Sequence, residues 1–230
     1  MTKIPSIEEM LKAGMHFGHR TSKWHPKMEP YIFTQRNGVH IIDLAKSQKM
    51  LETALEYIKK MTSEGKVILF VGTKSQVKKP MKEMAEEVKV PYVVGKWLGG
   101  CLTNFLVIKR TIKRYVDLVN QKEAGKLKKY TKKEQLDFDK EINKLELRVG
   151  GLVNLMKVPD VLFVWDIKEE KTAVMEAKKK NIPVIGICDT NVNPKNINYI
   201  IPSNDDATKT IKLVLEKIKE AIKEGQAEKK

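Results

Sequence analysis

The chain has only two cysteines, Cys101 and Cys188, in 230 residues, and neither belongs to a Cys-x-x-Cys pair. A disulfide framework and a zinc ribbon are therefore excluded, and both thiols are expected to be free and buried. No apolar run approaches the roughly 20 residues that span a bilayer. Residues 1–11 carry acids where a secretory signal needs an apolar stretch, so a cytosolic protein without a membrane partner is expected. Glycine signatures for phosphate are missing too. Gly72-Thr73-Lys74-Ser75 imitates the end of a P-loop, but the upstream glycine of that motif is missing, strand residues such as Leu69 standing there instead, and no Gly-x-Gly-x-x-Gly follows any candidate strand. Acidic residues are outnumbered: 29 Asp and Glu face 44 Lys and Arg, a net charge of +15. With 41% hydrophobic residues the chain can still fill a core, which rules out wholesale disorder.

The positive charge is unevenly distributed. Residues 66–82 hold five lysines and no acid, and residues 101–150 hold 13 basic against 7 acidic residues, whereas residues 160–230 hold 13 against 12. Such a surface attracts polyanions and repels copies of itself.

Ser6-Ile7-Glu8-Glu9 reads as a capping box opening a short helix that ends near Gly14. Residues 16–33 show neither helical nor strand periodicity and read as irregular. Val39-His40-Ile41-Ile42 reads as a short strand, and Asp43 caps an amphipathic helix carrying Leu44, Met50, Leu51, Leu55 and Ile58. Short apolar runs then alternate with helices. Val67 to Val71, Pro91 to Val94, Val161 to Trp165, Ile182 to Cys188 and Tyr199 to Ile201 are strands; residues 75–88 and 169–180 are helices, and Asn204-Asp205-Asp206 is expected to cap a last one. This grammar predicts an α/β fold with a doubly wound, mostly parallel sheet.

One insertion breaks the alternation. Leu102, Phe105, Ile108, Ile112, Tyr115 and Val119 form one narrow seam, and Phe138, Ile142, Leu145, Val149 and Leu152 another, with Thr131-Lys132-Lys133-Glu134 as a second capping box between them. The spacing predicts an antiparallel coiled-coil helical hairpin at residues 99–152, inserted into an α/β domain made of residues 1–98 and 153–230. Gly99-Gly100 supplies the turn into it and Gly150-Gly151 ends it.

Two kinds of site can be drawn. His16, His19, Asp189 and Asp205, with Asp206, could converge at strand ends as ligands of a divalent cation, the chemistry of a metal-dependent hydrolase or isomerase. Asp205 and Asp206 also have a sufficient role as helix caps. The nucleic-acid reading has more residues behind it. Arg20, Lys23, Trp24, His25, Lys27, Tyr31, Phe33 and Arg36 interleave cations with rings, a mixture that pairs with phosphates and covers sugars or unstacked bases. No homeodomain, zinc-finger or RNP signature is present, so backbone and shape recognition of folded RNA is expected rather than sequence reading.

These residues also form familiar blocks. Met10-Leu11-Lys12-Ala13-Gly14-Met15-His16-Phe17-Gly18-His19, Trp24-His25-Pro26-Lys27-Met28, Arg36-Asn37-Gly38-Val39-His40-Ile41-Ile42-Asp43-Leu44, Trp97-Leu98-Gly99-Gly100-Cys101-Leu102-Thr103-Asn104 and Ile201-Pro202-Ser203-Asn204-Asp205-Asp206-Ala207 resemble the family of the second protein of the small ribosomal subunit, in its bacterial form. The resemblance runs in order along nearly the whole chain. It implies a Rossmann-like domain with an inserted hairpin, no catalytic activity, no cofactor and no small-molecule substrate. The implied partners are small-subunit ribosomal RNA and neighbouring small-subunit proteins, including the large OB-repeat protein that gathers messenger RNA. The candidate RNA contacts are then Arg20, Lys23, Trp24, Lys27 and Arg36, then Lys74, Lys78, Lys79 and Lys96, and on the hairpin Lys109, Arg110, Lys113 and Arg114.

Overall fold

In the computed structural model, which describes residues 4–229, a five-stranded parallel sheet is built from β4 (Ile68–Val71), β5 (Tyr92–Val93), β6 (Val161–Val164), β7 (Val184–Cys188) and β8 (Tyr199–Pro202). The strands lie in the order β5-β4-β6-β7-β8 and every pairing is parallel. Each central strand is buried on both faces, which is why it reads as a continuous apolar run. Alternation still sorts the side chains. Ile68, Phe70, Val161, Phe163 and Trp165 pack on one face, while Leu69, Val71, Leu162 and Val164 pack on the other.

The first face is covered by α2 (Leu44–Ser63), α3 (Ser75–Glu87) and α7 (Thr208–Ala227), through Leu51, Leu55 and Ile58, Val77 and Met81, and Val214 and Ile218. The second is covered by α6 (Lys171–Lys179) through Ala173, Val174 and Ala177, and by the base of the helical hairpin. The architecture is a Rossmann-like, doubly wound α/β domain of three layers.

The local signals behave as their chemistry requires. Ser6 and Glu9 close a capping box on α1 (Ile7–Ala13), and the Asp43 carboxylate accepts from the amides of Ala45 and Lys46 at the start of α2. At the far end the outcome differs from expectation. The α7 N-cap is Ala207 without a side-chain cap; Asn204 Oδ1 accepts from the amides of Asp206 and Ala207, and the side chains of Asp205 and Asp206 turn away to a lysine. A half-buried cation competes for these carboxylates better than helix amides that water or Asn204 can satisfy.

The stretch expected to be irregular contains two strands. β1 (Phe17–Arg20) and β2 (Ile32–Arg36) flank β3 (Val39–Ile42) in an antiparallel sheet of order β1-β3-β2. Both outer strands are largely exposed and interrupted by register shifts, so neither shows the two-residue alternation that marks a half-buried strand.

The hairpin consists of α4 (Phe105–Glu123) and α5 (Lys132–Val149), with Thr131 and Glu134 forming the capping box that starts α5. Ile108, Ile112 and Ile142 are buried along the seam, as is Leu118 where Val119 was expected. Arg114 reaches Glu141 at 2.7 Å and Lys122 reaches Asp139 at 2.9 Å across it. The base seats on β5 by direct backbone contact: a Cβ on Gly95 would lie 1.8 Å from the Leu147 carbonyl oxygen, so only glycine permits this approach.

The turn into α4 is wrapped around one carboxylate. Glu176, buried on α6, accepts from the Trp97 indole at 3.1 Å, the amides of Gly100 at 2.8 Å, Leu102 at 3.0 Å and Thr103 at 3.1 Å, and the Thr103 hydroxyl at 3.0 Å. Burial pushes its pKa up, but the donors outweigh burial and hold it below the usual carboxylate value. No cation is needed, because neutral dipoles supply the compensation. Glu176→Gln would aim an amide NH2 at those donors and should cost about 2–3 kcal/mol in urea denaturation. An unchanged denaturation midpoint would show that the carboxylate does not organise this turn.

Candidate nucleic-acid interface

In a doubly wound sheet the ligand crevice opens at the carboxyl ends of the strands where the order reverses, here between β4 and β6. This crevice is filled by the protein's own side chains. Lys74, the residue before α3, places its ammonium 2.8 Å from Asp205, 2.6 Å from Asp206 and 3.5 Å from Asp166. Glu170 accepts from the Thr73 amide at 3.1 Å and from the Thr73 hydroxyl, and the Trp165 indole donates to the Asp205 carbonyl at 3.1 Å. Lys74 was expected to contact RNA. Its side chain is only 18% exposed, and its charge is engaged by three aspartates.

The antiparallel sheet roofs this cluster. The His19 amide donates to the Thr190 hydroxyl at 2.8 Å, the His25 amide to the Thr190 carbonyl at 2.8 Å, and the Asn204 side chain to the Phe17 carbonyl at 2.6 Å. Gly18 makes the approach possible, since a Cβ there would sit 2.6 Å from the Thr190 side chain. His19 Nδ1 lies 3.1 Å from Asp189 and Nε2 lies 3.7 Å from Asp206.

Of the four residues expected to gather around a cation, His19 and Asp205 do share a group with Asp206, one donor atom from each lying within 4.8 Å of the others. His16 is not in that group; its ring lies 3.9 Å from Phe17. Asp189 touches His19 but also accepts from the Thr190 amide and hydroxyl. A metal ion here would have to share Asp205 and Asp206 with Lys74.

Burial, and then the charge of Asp189, pushes the Asp205 carboxyl up to about 7 despite the hydrogen bond from Lys74. The Asp189 carboxylate raises the His19 imidazole above its ordinary value, against the opposing effect of burial. Burial also works against the Lys74 ammonium, but its hydrogen bonds to Asp205 and Asp206 prevail and hold its pKa above the usual lysine value.

The surface residues group differently. Arg20 of β1 and Arg36 of β2 both pair with Val39, one from each side, so they share one end of the sheet. The turn joining β2 to β3 is Asn37-Gly38, both left-handed at φ of 51° and 73°. Lys23 closes the helical turn Thr21–Lys23, whose Thr21 amide donates to the Gly38 carbonyl at 2.9 Å. Lys27 lies in the next turn, Pro26–Tyr31. All four cations are exposed, and none has an ion-pair partner among the described residues. Trp24 is half-buried, its ring 5.0 Å from that of His40, so it packs on the sheet.

Lys78 and Lys79, on α3, line a cleft of about 630 Å³ with Lys82, Glu86 and Tyr92 and with Glu146 and Arg148 of α5; Lys79 lies 3.9 Å from Glu83 and Lys82 lies 3.8 Å from Glu86. Lys82 follows Lys78 by one turn of α3, whereas Arg148, which no local spacing links to these lysines, joins the group only because the hairpin base folds back onto β5. Lys96 is exposed beyond β5. On α4, Arg114 is paired with Glu141, while Lys109, Arg110 and Lys113 are not paired among the described residues.

Two outcomes test the crevice. Lys74→Met would leave the surrounding aspartates uncompensated and should cost about 3–5 kcal/mol in urea denaturation at pH 8. The loss should shrink toward pH 5, where the freed carboxyls take up protons; an equal loss at both pH values would remove the electrostatic account. The raised values of His19 and Asp205 have one sign: the folded state holds protons more tightly than the unfolded chain. For His19 the contribution is full below about pH 6.5, its unfolded value, and is lost as pH rises through the folded value. For Asp205 it is lost between about pH 4, its unfolded value, and about 7. Corrected for intrinsic rate, hydrogen exchange at the His19 amide should therefore be slower at pH 6 than at pH 8, and His19→Asn should flatten that difference.

The chain can now be compared with known proteins. It is 44% identical over 223 residues to the small ribosomal subunit protein uS2 of Coprothermobacter proteolyticus, covering 97% of this chain and 83% of that protein. The family model described as Ribosomal protein S2 matches residues 10–225, from the middle of α1 to the last turn of α7. With the parallel sheet and the crevice filled from within, these matches show that the chain belongs to the ribosomal protein S2 family.

Proposed function

We propose that this protein holds small-subunit ribosomal RNA through the unpaired cations on and beside its antiparallel sheet, helped by Lys78 and Arg148 of the cleft between α3 and α5. It is a structural, non-enzymatic protein of the small ribosomal subunit and acts in translation. The observation that carries the RNA reading is the group Arg20, Lys23, Lys27 and Arg36, exposed together with no carboxylate partner among the described residues. Two such charges at one end of the sheet and two on the turns that follow β1 leave a net positive field that phosphates neutralise. Lys78 and Arg148 of the cleft offer a second contact for the backbone, beside Lys79 and Lys82, which are paired with Glu83 and Glu86.

Docking of neighbouring small-subunit proteins, including the OB-repeat messenger-binding protein, belongs to the same proposal. Its support is apolar surface that the chain leaves uncovered, with Phe33 of β2 75% exposed and Phe17 of β1 51% exposed. Residues 99–152 act in this reading as an inserted arm, and the ribosome in question is cytoplasmic. No helix among the described residues is long and apolar enough to cross a membrane.

Binding of the purified chain to small-subunit RNA should weaken with salt, with a slope of log K against log salt of about −0.7 to −0.9 for each phosphate contact. Replacing Arg20, Lys23 and Arg36 with Gln should make that slope shallower by roughly two to three units. A slope unchanged by the triple substitution would remove the antiparallel sheet from the RNA interface.

A further inference from the structure

At the base of the hairpin, α4 and the turn that follows α5 enclose a groove of about 570 Å³. Its floor is aliphatic, formed by Ile112, Val116 and Leu155. Its lips are Leu106 and Met156, which are 50 residues apart in sequence and each 73% exposed. Lys109, Arg110 and Lys113 stand along it, and no acidic side chain lines it.

The charges on α4 divide in two. Cations that reach α5 are neutralised there, Arg114 by Glu141 and Lys122 by Asp139. The three at the groove have no partner among the described residues. Uncovered aliphatic lips beside unpaired cations have a definite complement, a surface apolar at its centre and acidic at its flank.

We infer that this groove is a docking site for an acidic amphipathic helix of another protein. The α4 face from residue 106 to residue 116 is about 15 Å long, enough for three turns of such a helix. RNA fits the groove less well: it would satisfy the cations, but the groove has no aromatic side chain on which a base could stack, and phosphates leave Leu106 and Met156 exposed. A second copy of this chain is disfavoured by its own net charge of +15. The inference goes beyond the RNA-binding reading and assigns to a protein three of the cations that the sequence analysis gave to RNA.

The test uses the purified full-length chain and two fluorescent helical peptides with leucines at i, i+3, i+4 and i+7, one flanked by glutamates and the other by lysines. The glutamate peptide should bind, and the lysine peptide at least tenfold more weakly. Leu106→Ser with Met156→Ser should weaken the glutamate peptide at least tenfold without changing the circular dichroism spectrum, since both side chains are exposed. Lys109→Glu with Lys113→Glu should reverse the preference. Equal binding of the two peptides, or unchanged binding by the lip variant, overturns the inference. So does a loss of RNA affinity by the lip variant as large as its loss of peptide affinity, which would make the groove an RNA seat.

A second measurement reads assembled small subunits. Cys101 and Cys188 are buried, so Met156→Cys introduces the one exposed thiol among the described residues. A photocrosslinker there should join to an acidic helical peptide of a neighbouring protein, whereas an adduct with RNA, or thiol labelling as fast as in the free chain, overturns the inference.

Discussion

The Lys74 ammonium lies where the strand order of the parallel sheet reverses, and aspartates from the ends of two other strands converge on it: Asp166 after β6, and Asp205 and Asp206 after β8. Carboxylates this close repel one another, and in a half-buried crevice that repulsion is screened far less than at the surface. The ammonium makes their proximity tolerable. With the strand ends drawn together, Thr190 can receive the amides of His19 and His25, and Asn204 can hold the Phe17 carbonyl. The antiparallel sheet, and with it the end that carries Arg20 and Arg36, is thus positioned by contacts that require the crevice to be closed.

That closure changes what the fold can do. The β4–β6 crevice is where other proteins of this topology receive a nucleotide or substrate. Here Thr73 and Lys74 occupy the corresponding place after β4 and are bound to Glu170, Asp166, Asp205 and Asp206. In the proposed reading the functional surface lies instead on structures added to the parallel sheet, the antiparallel sheet and the hairpin. A scaffold protein gains rigidity from such an arrangement, because the strand ends that carry loops in an enzyme are tied to one another.

Much of the fold was legible in the sequence because its causes are local. Apolar runs of four or five residues gave the parallel strands, and Ser6, Asp43 and Thr131 gave helix starts through side chains that satisfy amides two or three residues away. What escaped depends on distant partners. β1 and β2 pair with β3 through exposed residues, so their evidence is the register Phe17 to Ile41 and Arg36 to Val39 rather than any period of hydrophobicity. Lys74 looked like a surface cation because its three counter-charges come from 92 or more positions downstream. Glu176 looked like one more charge on a helix, yet it is the hub of a turn about 75 residues upstream, and only the packing of α6 on the hairpin base reveals it. Arg148 joins Lys78 and Lys79 for the same kind of reason.

The distribution of paired and unpaired charge carries the argument one step further than net charge does. Along the last three turns of α7 the cations are compensated: Lys59 of α2 meets Glu224 and Glu228, Lys217 meets Glu220, and Lys219 and Lys223 meet Glu87. Around β1, β2 and the groove side of α4 they are not. Two surfaces of one molecule therefore present different fields, one nearly cancelled within a few ångströms and one that adds up. A polyanion that comes within a Debye length, roughly 8–10 Å, responds mainly to the second. For the partners proposed above, RNA and an acidic helix, orientation is selected before specific contacts form, and the apolar lips of the α4 groove, which exert no long-range field, discriminate only among partners already brought close.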